Sequence, residues 1–303
     1  MSIIPIKKLG TVDYFIVEAN PVVWKNQLLR LEYIRWMNEN KRYPGNESGT
    51  SYFRFVEHET GRVVSEPFGK GLHMGNAFVW EGTPQRMVVT CVEDWGRPRF
   101  LQLESEDLVH WSEPRVILEH ESWAGYNTSV CRAGDRFVMM FELGKPLELV
   151  GHPFTMFFAE SRNLKTWNVI PGASLFKDIY TGAPMLRWFN GVFYAFYLNG
   201  SYENGFETYV ARSSDLKHWE SAPRNPVLTY DEGDRIIHPM SKLKPQHLEL
   251  AKTAQNINVS DLDFCEYNGK LHMVYSWGNQ RGIEFLALAE AECTERQFCE
   301  SFF

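Results

Sequence analysis

The chain has 303 residues, 44% hydrophobic and 23% charged, proportions that exclude a wholly disordered or collagen-like polypeptide. Its 31 Lys and Arg against 38 Asp and Glu leave a net charge of −7, the wrong sign for holding nucleic-acid phosphates. No run reaches the roughly 18 apolar residues needed to cross a bilayer, so neither nucleic acid nor membrane is an expected partner.

In chain order, the first strand candidates are 21–24, 28–34 and 52–58, with Thr60-Gly61 as a late turn. Residues 77–80 and 86–92 flank Glu81-Gly82, and 99–104 and 114–118 flank Ser105-Glu-Asp-Leu-Val-His-Trp111. The next set places 129–132 and 136–142 around Ala133-Gly134, then 155–160 and 169–176 around Ser161-Arg-Asn-Leu-Lys-Thr-Trp167. A fourth set has 185–188 and 192–198 around Asn190-Gly191, then 207–212 and 225–229 around Ser213-Ser-Asp-Leu-Lys-His-Trp219. Asn-Gly between alternating apolar runs is the strongest short hairpin signal. Residues 231–259 then turn polar, with a helix-compatible stretch at 246–255, and read as an insertion. The last set has 263–266 and 271–277 around Asn268-Gly269. Two further candidates, 284–289 and 297–303, either complete that set or lend one strand to the first.

Three of these turns share the pattern S-x-[DN]-L-x-x-W, beginning at 105, 161 and 213, so consecutive copies lie 56 and 52 residues apart. Ser and Asp or Asn hold such turns through bonds to nearby backbone, while Leu and Trp tuck into the adjoining sheet. A period near 50 residues with about four strands per unit, five times over, predicts an all-β five-bladed β-propeller. The whole chain, 1–303, is then one domain with a partly helical insertion at about 231–259 between blades four and five.

Up-and-down alternation within each blade puts the Ser–Trp turns and the first hairpins on one face. The starts of the inner strands and the ends of the second strands share the other, which converges on the axis. Counting back from each hairpin places Glu18, Asn76, Asn127, Ala183 and Asp261 at the inner-strand starts. Second-strand ends add Glu93 and Asp94, Glu142, residues 199–203 and residues 277–280, and the insertion adds His238.

A ring of carboxylates, amides and aromatics suits glycosidic cleavage, which needs one acid to protonate the leaving oxygen and one carboxylate to activate water or attack. The catalytic candidates are therefore Glu18, Asp94, Glu142, Asp261 and His238, with Glu18 or Asp261 as base and Glu142 or His238 as proton donor. Glu142 ends an apolar run and is either a buried acid with a raised pKa or an ion-pair partner of Lys145 or Arg136. Candidates for binding substrate are His73, Asn76, Tyr126, Asn127, Trp277, Asn279 and Arg281. The 15% aromatic content, including 10 Trp, fits sugar stacking and a Trp-rich core equally well.

On the three Ser–Trp turns, with Arg224-Asn-Pro-Val-Leu228 after the last, the chain resembles the five-bladed propeller glycoside hydrolases, a group that includes arabinanases, xylosidases, invertases and mannoside phosphorylases. The resemblance implies an acidic base on the first blade's inner strand, which Glu18 matches in position where Asp is usual. It also implies acids on the third and fourth inner strands, where this chain has Asn127 and Thr181-Gly182-Ala183. In this departure the chain resembles the neoagarooligosaccharide hydrolase branch, in which a histidine takes the acid role, here His238. The expected function is an inverting glycoside hydrolase acting on a terminal sugar or short oligosaccharide, with neither cofactor nor metal. A non-catalytic carbohydrate-binding propeller and a glycoside phosphorylase are the alternatives, and the oligomeric state is open.

Cys91, Cys131, Cys265, Cys293 and Cys299 are odd in number, with no C-x-x-C and no zinc-finger spacing. They predict reduced, buried thiols and a cytoplasmic location, or a secreted or periplasmic one if a signal peptide has been removed.

Overall fold

The computed structural model describes residues 3–303. Its first strand, β1 (Lys7–Tyr14), does not join the first blade. That blade is β2 (Asn20–Trp24), β3 (Gln27–Ile34) and β4 (Tyr52–Glu57) in antiparallel order. Isolated bridges Phe53–Phe68 and Val56–Val63 supply an irregular outer edge. The second blade is β5 (His73–Trp80), β6 (Arg86–Val92), β7 (Arg99–Ser105) and β8 (Arg115–Glu119). The third is β9 (Ala124–Ala133), β10 (Arg136–Lys145), β11 (Thr155–Ser161) and β12 (Asn168–Ser174), with a one-turn helix α1 (Leu147–Val150) after β10. The fourth is β13 (Met185–Phe189), β14 (Val192–Ser201), β15 (Gly205–Ser213) and the short β16 (Glu220–Ser221).

Helix α2 (Pro245–Thr253) lies between the fourth and fifth blades. The fifth blade runs from the axis outwards as β17 (Asn258–Tyr267), β18 (Lys270–Gly278) and β19 (Glu284–Ala291), and β1 is its outermost strand. A single parallel bridge, Phe206 to Asn258, joins the fourth and fifth blades edge to edge.

The ring is thus closed by the N-terminal strand pairing with β19, from Lys7 opposite Glu290 to Tyr14 opposite Phe285. This corrects the expectation for 297–303, which is no strand. Thr294 caps helix α3 (Glu295–Glu300), its side chain accepting from Gln297 N while the Gln297 side chain reaches back to Thr294 N. Phe298 and Phe302 then pack into the core from the helix and its end.

The three Ser–Trp turns are built alike. Ser105 and Ser213 Oγ accept from the backbone N of Leu108 and Leu216, at 2.9 Å each. Asp107, Asn163 and Asp215 Oδ1 each accept two backbone N–H groups further along the turn. The buried leucines 108, 164 and 216 all adopt left-handed φ of 60° to 66°, which lets the chain reverse while the side chain stays in the core. Trp167 is buried, whereas Trp111 and Trp219 are half-buried. His110 and His218 are exposed and bond Asp107 and Asp215 at 2.7 Å, as scaffold rather than site.

Between blades the packing is aromatic. Trp111 stacks on Phe55 across the first seam, and Phe100 meets Phe141 at 5.3 Å across the second. Phe158 meets Trp219 at 5.4 Å and Phe196 meets Phe264 at 5.3 Å across the third and fourth. The seam between the fifth and first blades also buries charge: Glu32 receives Arg30 and Arg54, and Asp13 receives Arg42. All five cysteines are free and buried, and among the described residues no helix is long and apolar enough to cross a membrane.

Candidate active site

Each inner strand enters the axis through a left-handed residue or its equivalent. Glu18, Met74, Ala183 and Asp261 have φ of 35°, 55°, 56° and 53°, and Asn127 holds the matching place in the third blade. Non-glycine residues rarely take this conformation, and clustered strain of this kind is typical of functional sites. In β5 and β17 it coincides with breaks in the ladder between His73 and Asn76 and between Ser260 and Asp263. Such bulges re-aim the side chains at the mouth of the ring.

Glu18, Asn76, Asn127, Ala183 and Asp261 line one axial cavity, with Met74, Pro184 and Asp263. The count from the hairpins therefore reaches the right cavity but lands two residues late in the second blade, where Met74 is the equivalent of Glu18. Asn76 sits deeper, its Nδ2 donating to Asp263 Oδ2 at 3.3 Å. Asp263 is in turn held by Arg187 at 2.8 Å.

Glu142 stands behind this wall. It is only 2% exposed, and its Oε2 accepts from Asn127 Nδ2 at 2.9 Å. The backbone N–H groups of Asn127 and Ala183 bond it as well. Of the two alternatives the buried acid is the one found: among the described residues Glu142 makes no ion pair, and Arg136 pairs with Glu160 across β10 and β11 instead. Half-buried Tyr126, packed on Phe154 at 5.0 Å, lies near enough to Glu142 to feel its charge.

Two residues not foreseen complete the centre. Arg35, at the end of β3, is 4% exposed and donates through Nη2 to Glu284 Oε2 at 2.8 Å. Its Nε lies 3.6 Å from Glu18 Oε2, and neither of those two buried atoms has a hydrogen-bond partner. Glu284 opens β19. Both were legible in principle, because Arg35 follows a second strand and Glu284 starts a third, the two other kinds of position that alternation places on this face. Tyr180 also faces the cluster, with Glu142, Asp261 and Glu18 all acting on its hydroxyl.

Burial dominates the electrostatics. It pushes the Glu18 carboxyl up to about 8, with the charges of Asp261, Glu284 and Glu142 adding to the rise and Arg35 opposing it. Glu142 is raised to about 7, by burial first and against the pull of its hydrogen bonds. Asp261 is raised to about 6, again by burial, while Ser260 Oγ donates to its Oδ2 at 2.6 Å and restrains the shift. Gln280 fixes Ser260 by donating to its Oγ at 3.1 Å.

The remaining candidates lie elsewhere. His73 and Asp94 line a separate cleft on the second blade, His73 Nε2 lying 3.6 Å from Asp94 Oδ1. His238 is not brought to the axis: its backbone N donates to Thr11 O on β1, and its ring accepts from Met240 N. The insertion runs along the outer edge of the fifth blade, which is why this histidine stays peripheral. Trp277 is fully buried, stacked on Phe285 at 4.5 Å with Nε1 bonded to Thr11 Oγ1, and presents no face to a ligand. Asn279 closes the β18–β19 turn by accepting from Arg281 N and Ile283 N. Arg281 is exposed and donates to Tyr202 O at the rim. Among the described residues no three His, Cys, Asp or Glu side chains are grouped as metal ligands.

No protein-family model matches the chain, and no curated protein matches its sequence. Solved structures do match in shape. The catalytic domain of the Coprinopsis cinerea GH62 alpha-L-arabinofuranosidase superposes with a TM-score of 0.63 at 9% identity, over 96% of this chain and 99% of that one. A structure described as a glycoside hydrolase gives 0.61 at 16% identity, over 95% and 92%. The xylan beta-1,4-xylosidase of Bacillus halodurans gives 0.61 at 15% identity, over 96% of this chain and 55% of that one. At such identities the likeness establishes the architecture, and the chain has the propeller fold of these enzymes.

Proposed function

We propose that the protein is a glycoside hydrolase that releases a terminal sugar with inversion, Asp261 serving as base and Glu18 as proton donor. One observation carries the reading: carboxyl groups from the first and fifth blades line a single cavity while their environments push their pKa values apart, to about 8 and about 6. Near neutral pH the first is protonated and the second ionised, the division of labour that hydrolysis requires.

In the reaction Asp261 takes a proton from water as its oxygen bonds to the anomeric carbon. The bond from that carbon to the glycosidic oxygen breaks, and the departing oxygen takes the proton of Glu18. Exchange with solvent then returns both carboxyls to their starting states. Glu142, walled off from the cavity, is a positioning residue that orients Asn127 and raises Glu18 by its charge. The structural neighbours make arabinofuranosyl and xylosyl substrates the first to assay. The buried free cysteines fit a reducing, cytoplasmic setting.

The test is turnover of methyl arabinofuranoside and xyloside, whose departing alkoxide must be protonated, with the anomer released followed by NMR. Expected is cleavage by the wild type and its loss in Glu18→Gln and Asp261→Asn. Undiminished turnover in either variant overturns the assignment. Non-acidic Asn127 and Ala183 on the third and fourth inner strands favour a second reading, a sugar-binding propeller without catalysis. Binding without product release selects it.

A further inference from the structure

We infer that Arg35 is a positioning residue for the proton-transfer step: its Nε–H closes on Glu18 Oε2 as that carboxyl gives up its proton, while its Nη2 stays on Glu284. This rests on the reading of Glu18 as proton donor. Two orphaned atoms carry it. Arg35 Nε and Glu18 Oε2 are both buried, both without a hydrogen-bond partner, and 3.6 Å apart. Buried polar atoms are rarely left so, and a charge-assisted bond would bring these two to about 2.7–2.9 Å. A movement of about 0.8 Å therefore separates the resting arrangement from a complete ion pair.

The guanidinium is anchored on its other sides. Its Nη2 donates to Glu284 Oε2 at 2.8 Å, its Cζ lies 4.9 Å from the centre of the Phe15 ring, and Asn46 Nδ2 fixes the backbone by donating to Arg35 O at 2.8 Å. Glu18 and Glu284 thus face one cation from the first and fifth blades. A neutral Glu18 does not compete for it. The oxygen turned to Arg35 is then the carbonyl oxygen, because an O–H aimed at an N–H would set two donors face to face, so Oε1 carries the proton towards the cavity.

Hydrolysis changes this balance without changing the total charge. Asp261 gains a proton from water and Glu18 loses one to the departing oxygen, so one negative charge passes from Asp261 to Glu18. The bond from Nε to Oε2 is absent before the transfer and complete after it, and an interaction that strengthens towards the transition state raises kcat rather than lowering KM. The groups acting on Glu18 are Arg35 of the first blade, Glu142 of the third, and Asp261 and Glu284 of the fifth, with the hydroxyls of Tyr33 and Tyr180 nearby. Among these Arg35 is the one cation.

The experiment compares methyl glycosides, whose leaving alkoxide needs the proton, with dinitrophenyl glycosides of the same sugars, whose leaving group does not. Arg35→Gln is expected to lower kcat on methyl arabinofuranoside or xyloside by about tenfold to a hundredfold, with KM within about twofold. On the dinitrophenyl compound kcat should stay within about threefold, which also shows that the variant folds. With the positive charge gone, the alkaline limb of kcat/KM against pH moves up. Arg35→Lys, which keeps the charge but not the forked edge, should hold that limb and recover only part of the rate. Equal losses on both substrates, or full recovery by Arg35→Lys, overturn the role of the Nε contact and leave the hydrolase reading intact. Should Arg35→Gln not fold, Glu284→Gln decides. The guanidinium, freed of its rival, then sits on Glu18 in the resting enzyme and the alkaline limb moves down; an unmoved limb overturns the proposal. A wild type that turns over neither substrate removes both readings.

Discussion

Glu18 and Asp261 differ in what surrounds them more than in what they are. Both are carboxyls on strained, left-handed backbone at the axis, yet Ser260 steadies the ionised form of Asp261 while Glu18 faces Arg35 without a hydrogen bond. On the proposed roles, activity requires Asp261 ionised and Glu18 protonated. A plot of kcat/KM against pH should be bell-shaped, with limbs near 6 and 8 that belong to the coupled pair rather than to either residue alone. Replacing either by its amide should lower kcat by on the order of a hundredfold or more and change KM little, as steady-state kinetics on a methyl glycoside would show. Glu142→Gln removes a negative charge that raises Glu18, so the alkaline limb should move to lower pH while the acid limb is held. An unmoved alkaline limb in that profile would deny Glu142 its electrostatic role.

Elements defined by local chemistry were the legible ones. The Ser–Trp turns recur because two side-chain oxygens and a left-handed leucine suffice to build each, whatever the surroundings. Burial separates their tryptophans, however. Trp167→Ala should destabilise the fold by about 3–5 kcal/mol in urea titration, and the half-buried Trp111 and Trp219 should cost less. Elements defined by distant partners were illegible. β1 finds its place only by pairing with β19 at the other end of the chain, and nothing in residues 7–14 announces that partner. The strand candidate at 297–303 is instead helix α3 and its end, and Thr294 with Gln297 is a capping box that could have been seen. At the site, Glu18, Asn127 and Asp261 followed from counting strands. A bulge in β5 displaced the count to Asn76, and Arg35 was missed because the end of the first blade's second strand was not counted. His238 was misplaced because the course of an insertion is set by packing, not by the repeat.

Closure of the ring places an acid-sensitive group at one seam. His58, at the end of β4, is fully buried against His272 of β18, ring centroids 5.7 Å apart, and neither of its ring nitrogens has a partner. Burial, reinforced by the charges of Arg30, His272 and His238, holds its pKa well below the usual histidine value. Glu59 acts the other way on His238 and His272. Above the unfolded value of about 6.5 His58 is neutral in both states and costs nothing in proton linkage. As pH falls below it the unfolded chain binds a proton that the folded chain refuses, so stability drains away and the first and fifth blades part. The carboxyls at the axis act with the opposite sign. Their raised pKa values contribute stability that is complete below the unfolded carboxyl range and is lost as pH rises through about 6 to 8. Replacing His58 by Phe, an aromatic with no nitrogen to satisfy, isolates the seam. Thermal unfolding followed from pH 7 to pH 5 should show a shallower fall in Tm for His58→Phe than for the wild type. At pH 7 the variant should match or exceed the wild type, since burying an unpartnered polar group costs about 1–3 kcal/mol. Parallel curves for the two proteins would mean that His58 is not the acid-sensitive point of the closure.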